Sequence, residues 1–382
     1  MMSKRWDIFC CVVDNYGDIG VTWRLARQLA AEHDQAVRLW VDEPAAFLRL
    51  CPTADASLSS QRIDGVEVCH WSQDFPQVEV ADVVIEAFAC NLPASYIEAM
   101  AVGERKPLWL NLEYLSAEAW VAGCHVLPSP QAGGLQKFFF FPGFTEGTGG
   151  LLRERDLLTR RRAFQAVPNA RRDFLAQIGV TPADDARLIS LFAYENAALA
   201  DWLDALAVDT RPTLLLVPHG RIEGDLCRWL GVADTEPGSR WQRGNLQVQL
   251  LPFLSQHDYD RLLWSCDFNA VRGEDSFVRA QWAGRPLLWH IYQQEEGAHW
   301  DKLDAFLDLY CAGLSPQAAD AQKSLWHAWN GQGDMGAAWV QAQAHIEEHS
   351  RYAGDWCDEQ VLRPDLASAL VRFSGKWLSC AT

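Results

Sequence analysis

Two carboxylates with neighbouring glycines mark the first segment that could do chemistry, Asp14-Asn15-Tyr16-Gly17-Asp18-Ile19-Gly20. It follows an apolar run, Trp6 to Val13, that predicts a buried strand, and it precedes a predicted helix over residues 21–32. The glycines allow a tight turn and close approach of a ligand to the backbone. A carboxylate at the end of a first strand can serve as a general base. The alternative is structural: Asp14 ends the strand, and Asp18 or a neighbour caps the helix.

A second segment, Val271-Arg272-Gly273-Glu274-Asp275-Ser276, joins a predicted strand to a helix that begins near Ser276. Arg272, the backbone N–H groups at the helix start and the helix dipole would together form an anion site that a diphosphate fits. Glu274 and Asp275 are unfavourable neighbours for phosphate, so their use would be to hold Arg272 or sugar hydroxyls. The alternative is a capped helix with solvated charges.

Strands and helices alternate along the chain. Both candidate segments, 14–20 and 271–276, therefore join a predicted strand to a predicted helix. In the first half, the patterns predict strands over 6–13, 36–41, 66–69, 80–88 and 107–112 and helices over 21–32 and 93–102. A second series predicts strands over 187–192, 213–218, 246–251, 268–271 and 286–289 and helices over 197–207, 224–230, 256–264 and 276–283. Such alternation favours parallel sheets with right-handed crossovers, hence an α/β fold.

Domain organisation follows from the same pattern. Between the two series lies a basic stretch, residues 153–172, that is typical of a junction. We expect an N-terminal Rossmann-like domain over residues 1–180, joined by the C-terminal helix 355–382, and a second Rossmann-like domain over 181–354. Two such domains would face each other across a cleft, and ligands of these sheets sit beyond the carboxyl ends of the strands. The tail, from 326 to 380, is predicted to be helical.

Composition excludes several classes of protein. The 382 residues suffice for about two domains. With 33 basic and 50 acidic residues, the net charge of −17 disfavours nucleic-acid binding and suits a basic partner. Eleven cysteines are scattered without a CxxC pair, and the apolar N-terminal run lacks the features of a signal peptide or a membrane span. We therefore expect a cytoplasmic protein with no membrane or nucleic-acid partner.

The sequence gives little indication of a metal site. His345 and His349 stand four apart on a predicted helix, but the order HxEEH differs from HExxH, which favours a solvated helical face over a metal site. A carboxylate cluster of the DxD kind is also missing near Arg272, which favours a metal-independent reaction. Nor does a GxGxxG fingerprint follow the first strand, so nicotinamide binding there is disfavoured.

The second half resembles glycosyltransferases of the two-Rossmann (GT-B) type. Their second domain has a strand, a phosphate-binding turn, a helix, an "aGxP" turn, a strand and a polar run, and this order is present from Val271 to Glu295. The stretch Leu250 to Gln256 is similar to the family's base-binding segment.

Nearly the whole chain is similar to one family in particular, the elongation factor P arginine rhamnosyltransferases (EarP). The similarity is carried by motifs distributed over both halves: Trp6–Cys10, Asp14–Arg27, Ser190–Glu195, Pro252–Leu254, Arg272–Ser276 and Tyr292–Glu295. The resemblance implies an inverting enzyme that moves L-rhamnose from dTDP-β-L-rhamnose to one arginine of elongation factor P and so activates that factor. It implies no cofactor beyond the donor substrate.

The resemblance also assigns roles to residues. Asp18 matches the proposed general base, Asp14 its essential acidic neighbour and Glu274 a third essential carboxylate. Three aromatic residues match positions around the thymine and the donor, namely Phe192, Tyr194 and Phe253. We expect Phe192 and Phe253 to sandwich the thymine. Core packing is the alternative for Phe192, Phe253 and Tyr292. The remaining donor-contact positions are Asn15, Tyr16, Gly17, Ser255, Gln256, Arg272, Gly273, Asp275, Ser276 and Tyr292.

The acceptor poses the chemical problem. A guanidinium is protonated near neutrality and is a poor nucleophile. Two carboxylates could hold it by charge-assisted hydrogen bonds, orient one nitrogen and take its proton as the new bond forms. Which of Asp14 and Asp18 takes the proton stays open. Two other readings also stay open: a nucleotide-sugar epimerase of the same architecture, and a non-catalytic acidic protein that binds a translation factor.

Overall fold

The protein folds into two units that each contain one β-sheet. The computed structural model describes residues 4–12, 16–72 and 74–380. The first unit comprises residues 1–155 together with 361–382, and the second comprises 156–360. Each unit is described by itself below.

The first unit holds one sheet flanked by helices. Within the described residues, its strands are β1 (Arg5–Cys10), β2 (Ala36–Val41), β3 (Ser60–Ile63), β4 (Val66–His70), β5 (Val83–Ala87), β6 (Leu108–Leu112), β7 (Pro128–Pro130) and β8 (Gln136–Phe140). Its helices are α1 (Gly17–His33), α2 (Pro44–Leu50), α3 (Ala94–Val102) and α4 (Val121–Cys124). The last helix of the chain, given below, returns to this unit.

The strand order of the first sheet is β3-β4-β2-β1-β5-β6-β8-β7. Strand β1 pairs in parallel with β2 on one side and with β5 on the other, and Cys10 is in register with Val41 and Ala87. The chain therefore leaves β1 where the strand order reverses, which is where ligands bind in open α/β sheets. Helix α1 begins at that point.

The second unit repeats this architecture. Its strands are β9 (Arg187–Leu191), β10 (Thr213–Pro218), β11 (Arg240–Arg243), β12 (Leu246–Leu251), β13 (Phe268–Arg272) and β14 (Leu287–His290). The helices from here to the end of the chain are α5 (Leu157–Ala166), α6 (Ala170–Gln177), α7 (Leu199–Val208), α8 (Glu223–Leu230), α9 (Gln256–Ser265), α10 (Asp275–Ala283), α11 (Ala298–Cys311), α12 (Pro316–Trp329), α13 (Met335–Gln343), α14 (Ile346–Val361) and α15 (Leu366–Cys380). Helix α15 belongs to the first unit.

The second sheet has the strand order β11-β12-β10-β9-β13-β14. Strand β9 lies between β10 and β13 and pairs in parallel with both. This is again a point where the strand order reverses, so the ends of β9 and β13 are where a ligand is expected. The α/β prediction is confirmed, and the strands predicted over 36–41, 213–218 and 246–251 match the observed bounds.

The boundary between the units falls earlier than predicted. Helices α5 and α6, which we assigned to the first domain, pack in the second unit. Phe164 of α5 contacts Trp264 of α9, and Arg171 of α6 lies 3.5 Å from Asp267. The boundary consequently lies at residue 155 rather than 180, and the return to the first unit is at 361 rather than 355.

Large aromatic side chains fill both cores. Seven tryptophans are among the largest fully buried side chains: Trp6, Trp23, Trp202, Trp282, Trp326, Trp329 and Trp339. In the second unit, Trp202 meets Trp329 and Trp339 edge to face, with ring centres 5.1 and 5.3 Å apart. Packing in the core is thus the role of these tryptophans. No helix in the described parts of the chain combines the length and apolar character needed to cross a bilayer.

Candidate functional site

The carboxyl ends of β9 and β13 bring the second predicted segment together with the residues after β9. The backbone N–H of Phe192 donates to the carbonyl of Ala270 at 2.9 Å, so the first residue after β9 is tied to β13. Arg272, the last residue of β13, therefore lies beside the loop that carries Phe192 and Tyr194. The structure thus brings Arg272 together with two aromatic residues that precede it by 80 and 78 positions in the sequence.

Arg272 is buried against two aromatic rings. Its guanidinium carbon lies 4.5 Å from the ring centre of Phe192 and 4.7 Å from that of Tyr194, and the residue is 4% exposed. Cation–π contacts of this kind gain strength when water is excluded. They also hold the guanidinium plane in one place. One ring face of Phe192 is occupied in this way, so a thymine sandwich would have to use the other face.

Ser276 fixes the backbone of Arg272. Its hydroxyl oxygen accepts a hydrogen bond from the Arg272 N–H at 3.1 Å, and the hydroxyl donates to the Arg272 carbonyl. The Ser276 hydroxyl thus bonds to the end of β13, and its contact with the donor stays a prediction. Ser276 is a positioning residue for Arg272.

A left-handed glycine turns the chain from β13 into α10. Gly273 has φ +56, a conformation that other residues rarely adopt. Its carbonyl accepts a hydrogen bond from the Trp289 indole at 2.8 Å, which pins the turn to β14. Glu274 stands at the N-cap position and Asp275 in the first turn of α10. The helix therefore begins one residue earlier than predicted, and its N-terminal amides lie beside Arg272, as an anion site requires.

A buried ion pair locks α10 to α9. Arg279 donates to both oxygens of Asp260 at 2.9 and 2.7 Å, and both side chains are at most 2% exposed. The two-pronged geometry makes this contact strong and directional. It sets the orientation of α10, and with it the direction in which the helix start points.

Aromatic residues line the end of β14 next to the same loop. Tyr194 meets Tyr292 and His290 edge to face, with ring centres 5.7 and 5.3 Å apart. Tyr292 is 44% exposed and so can reach a ligand, whereas His290 is buried. Burial, followed by the charge of Arg272, lowers the pKa of His290 to about 3. His290 is therefore neutral near pH 7 and adds no charge to the site.

Arg221 and Glu195 belong to this cluster although we did not predict them as site residues. The guanidinium of Arg221 lies 5.6 Å from the Tyr194 ring centre and 3.0 Å from the Glu195 carboxylate. Burial raises the pKa of Glu195, but its hydrogen bonds and the charges of Arg221 and Arg272 outweigh burial and lower it. The sequence contained a signal for Arg221 as a site residue, since Arg221 closely follows β10 and its loop lies at the same edge of the sheet.

The segment after β12 contributes the start of α9. Ser255 is the N-cap: its hydroxyl oxygen accepts from the Asp258 N–H at 3.1 Å, and the hydroxyl donates to the Asp258 carboxylate at 2.9 Å. Gln256 is buried, and Phe253 is half-buried in the preceding loop. The Ser255 hydroxyl thus caps a helix. Contact of Phe253 and Gln256 with a base stays a prediction.

In the first unit, Asp18 lies in the first turn of α1. It is 3% exposed and follows Tyr16, which occupies the N-cap position, and Gly17. Asp18 is therefore not the N-cap residue, so the simplest capping alternative does not describe it, although a carboxylate in the first turn complements the helix dipole. Burial, together with the charges of Asp18 and Asp42, raises the pKa of the neighbouring Cys10 thiol. Asp14 and Asn15 lie outside the described residues.

The HxEEH segment is not the solvated face that we expected. His349 is 4% exposed and contacts the Ala318 carbonyl oxygen at 3.0 Å, and burial lowers its pKa. Glu348 accepts from the N–H and the hydroxyl of Ser315 at 2.7 and 2.9 Å. His349 is buried because α14 packs on the start of α12, whereas Glu347 of the same segment stays exposed. No group of three metal-ligating side chains occurs in the portion of the chain that the structure describes.

Residues 6–375 match the family described as Elongation-Factor P (EF-P) rhamnosyltransferase EarP. This chain belongs to that family. It is 61% identical to a protein-arginine rhamnosyltransferase of Pseudomonas aeruginosa, with 98% of this chain and 99% of the relative aligned. It is 43% identical to the protein of the same description from Shewanella oneidensis, over 98% of each. The predicted family resemblance is confirmed.

Solved structures agree on the fold. A structure that describes EarP-mediated arginine glycosylation of translation elongation factor EF-P aligns with 98% of this chain and 99% of that chain, at 45% identity and a TM-score of 0.72. A structure of TcCGT1 in complex with UDP aligns over 99% of both chains with a TM-score of 0.53, at only 11% identity. The second match concerns the fold alone. The prediction of a GT-B fold with a helical C-terminal tail is confirmed.

Proposed function

We propose that this member of the EarP family transfers L-rhamnose from dTDP-β-L-rhamnose to one arginine side chain of elongation factor P, with inversion at the anomeric carbon, and thereby activates that factor. Family membership and the 61% identical protein-arginine rhamnosyltransferase support the arginine acceptor and the sugar. The likeness to the structure concerned with EF-P glycosylation supports the protein partner. A translation factor as partner would place the reaction in the cytoplasm.

The observation that carries the donor half of the proposal is the placement of Arg272. Its guanidinium is held by Phe192 and Tyr194 beside the N-terminus of α10. A diphosphate there would meet a fixed cation and the backbone N–H groups of the helix start. Such a group stabilises a diphosphate leaving group because its charge is in place before the bond breaks. Tyr292 and Phe253 are the exposed and half-exposed rings that would contact the rest of the donor.

Asp18 carries the acceptor half. Its carboxylate, in the first turn of α1 beyond the end of β1, would bind a guanidinium by a charge-assisted hydrogen bond and orient one nitrogen. As that nitrogen forms its bond to the anomeric carbon, the bond from this carbon to the diphosphate oxygen breaks and the diphosphate keeps the electron pair. The proton released from the nitrogen passes to Asp18. Attack on the face opposite the leaving group inverts the centre.

Glu274 and Asp14 complete the proposed carboxylates. Glu274 is the N-cap residue of α10 and follows Arg272 by two positions, where a carboxylate can bind sugar hydroxyls without opposing the phosphates directly. Asp14, by its spacing from Asp18, would share the guanidinium charge. We propose that no metal takes part, because Arg272 and the helix start supply the positive charge that a diphosphate requires. Undiminished turnover in the presence of EDTA is the result this predicts; restoration of lost turnover by a divalent cation would refute it.

An intact-mass experiment tests the proposal as a whole. Elongation factor P incubated with dTDP-β-L-rhamnose and this protein is expected to gain the mass of one rhamnosyl group, and replacement of its acceptor arginine by lysine is expected to abolish the gain. Consumption of the donor without elongation factor P would favour an epimerase instead. Complex formation without any mass change would favour a binding protein.

A further inference from the structure

A cluster of arginines lies at the edge of the second sheet opposite to Arg272. Asp267 and Arg285 precede β13 and β14, which pair in parallel with Asn269 in register with Leu287. Asp267 lies two residues before Asn269, and Arg285 lies two residues before Leu287. They therefore stand side by side. Strand β13 separates Asp267 from Arg272, a distance of about 17 Å at the rise of a β-strand. This place is distinct from the proposed donor site.

Two more arginines approach from α5 and α6. Arg171 extends its guanidinium to within 3.5 Å of the Asp267 carboxylate. Arg161 is buried and donates to the Trp282 carbonyl at 2.7 Å. A Cβ on Gly284 would lie 2.7 Å from the Arg161 guanidinium, and Gly284 has φ +61. Glycine at this position is therefore what lets Arg161 approach the turn that carries Arg285. We call Arg161, Arg171, Arg285 and Asp267 the arginine cluster.

The charges of the arginine cluster do not balance. The cluster contains three guanidinium groups but one carboxylate, and one oxygen of that carboxylate already accepts from the Leu188 N–H at 2.9 Å. The Nε of Arg285 is buried and has no hydrogen-bond partner within the part of the chain that is described. Burial lowers the pKa of Arg285; the charge of Asp267 opposes this, and the charges of Arg171 and Arg161 add to it. Like charges under partial burial are costly unless an anion joins them.

We propose that the arginine cluster binds a small multivalent oxyanion of the phosphate class. Arg171, half exposed at the rim, and Arg285, deeper inside, present planar guanidinium groups of the kind that bind phosphate oxygens in pairs. A doubly charged anion would offset the excess positive charge and give Arg285 the acceptor that Asp267 cannot supply. The site is unusual for a chain with a net charge of −17, whose surface otherwise repels anions.

Calorimetric titration of the full chain with inorganic phosphate, at an ionic strength held constant with sodium chloride, tests this site. Removing one charged hydrogen-bonding group is expected to weaken phosphate binding about tenfold in Arg171→Gln and in Arg285→Gln. Arg172→Gln is the matched control, because Arg172 is on the same helix, is exposed, and lies 3.9 Å from the Asp173 carboxylate. This control is expected to bind phosphate like the wild type. Sulfate is expected to compete, and chloride is not.

The proposed donor site would also attract phosphate, so a further variant separates the two. Arg272→Gln is expected to keep phosphate binding at the arginine cluster. Binding that is lost in Arg272→Gln but unchanged in Arg171→Gln and Arg285→Gln would overturn the proposal, as would an equal loss in Arg172→Gln. The Arg171 side chain is half exposed, so Arg171→Gln is expected to fold normally. Circular dichroism of this variant confirms that any loss of phosphate binding is measured on a folded protein.

Discussion

The guanidinium carbon of Arg272 lies 4.5 Å from the ring centre of Phe192, and the two residues stand at the ends of neighbouring strands. An arginine side chain has about 2 kcal/mol of rotamer entropy to lose when it binds a ligand. The Phe192 ring restricts the Arg272 side chain, and the hydrogen bonds of Ser276 hold its backbone, before any ligand arrives. We therefore interpret Phe192 first as the residue that positions Arg272 and only second as a base contact.

Replacing Phe192 by leucine should weaken binding of dTDP. The substitution keeps an apolar side chain but removes the ring face against Arg272, and a cation–π contact contributes about 0.5–2 kcal/mol. We expect the Kd for dTDP to rise between about twofold and thirtyfold, measured by isothermal titration calorimetry.

Phe164→Leu supplies the control for this measurement. Phe164 also contacts an arginine, Arg261, at 5.7 Å from the ring centre, but on α5 and away from the strand ends. Its replacement should leave the Kd for dTDP unchanged. An unaltered Kd in Phe192→Leu would remove Phe192 from the donor site.

Much of the fold could be predicted because buried parallel strands have a strong local signature. The apolar runs Ala36–Val41, Thr213–Pro218 and Leu246–Leu251 stand between polar turns, and the observed strands coincide with them. Short edge strands were missed for the converse reason. Ser60–Ile63 and Arg240–Arg243 have exposed or half-exposed side chains, so their apolar pattern is faint and only pairing with the neighbouring strand defines them.

The sequence predicts which strand ends carry the site residues, but it does not predict which of these residues contact one another. Arg272 and Tyr194 each follow the rule that functional side chains come after parallel strands. The interaction of Arg221 with both Glu195 and Tyr194 depends on the order of β10, β9 and β13, which one sequence does not supply. The same holds for the assignment of α5 and α6: their basic composition is typical of a linker, whereas Leu157, Phe174 and Leu175 are buried in the second unit.

Asp18→Asn should separate catalysis from folding. Asparagine has nearly the same shape and can still donate or accept a hydrogen bond, but it cannot take a proton or offset a guanidinium charge. General base catalysis contributes about 10²–10⁴-fold, so we expect turnover to fall at least about 100-fold. The melting temperature and the Kd for dTDP should stay near those of the wild type.

Asp34→Asn, at the other end of the same helix, is the matched control. Asp34 is the C-cap residue with φ 53, a conformation that asparagine tolerates well. Its replacement should leave turnover intact. If Asp18→Asn also retained normal turnover, Asp18 would be a structural residue; if it lost affinity for dTDP instead, Asp18 would belong to the donor side.

The ion pair between Asp260 and Arg279 predicts a large loss of stability when one partner is removed. Asp260→Asn would leave the guanidinium of Arg279 buried without its counter-charge, which costs about 3–5 kcal/mol. Urea unfolding should show this loss. Asp308→Asn, which breaks the exposed pair of Asp308 with Lys323, should cost at most about 1 kcal/mol. Equal losses in the two variants would contradict the view that α10 depends on a buried pair.

His290 makes the stability of the second unit depend on pH. The ordinary pKa of 6.5 applies to the unfolded chain, whereas burial and the charge of Arg272 lower the pKa in the folded protein to about 3. Below pH 6.5 the unfolded chain binds a proton at this residue that the folded protein does not. Folding is therefore disfavoured progressively as the pH falls from about 6.5 towards 3, and the stability contribution is fully present above 6.5.

His290→Phe should flatten that dependence. Phenylalanine keeps a ring against Tyr194 and Trp329 but has no proton to bind. One residue that titrates only in the unfolded chain contributes a slope of about 1.4 kcal/mol per pH unit, so the free energy of unfolding, measured with urea at pH 6 and pH 4.5, should fall less in His290→Phe than in the wild type by about 2 kcal/mol. His70→Phe, at an exposed position, is the control and should retain the wild-type difference. An unchanged pH dependence in His290→Phe would mean that the buried imidazole binds its proton in the folded protein as readily as in the unfolded chain.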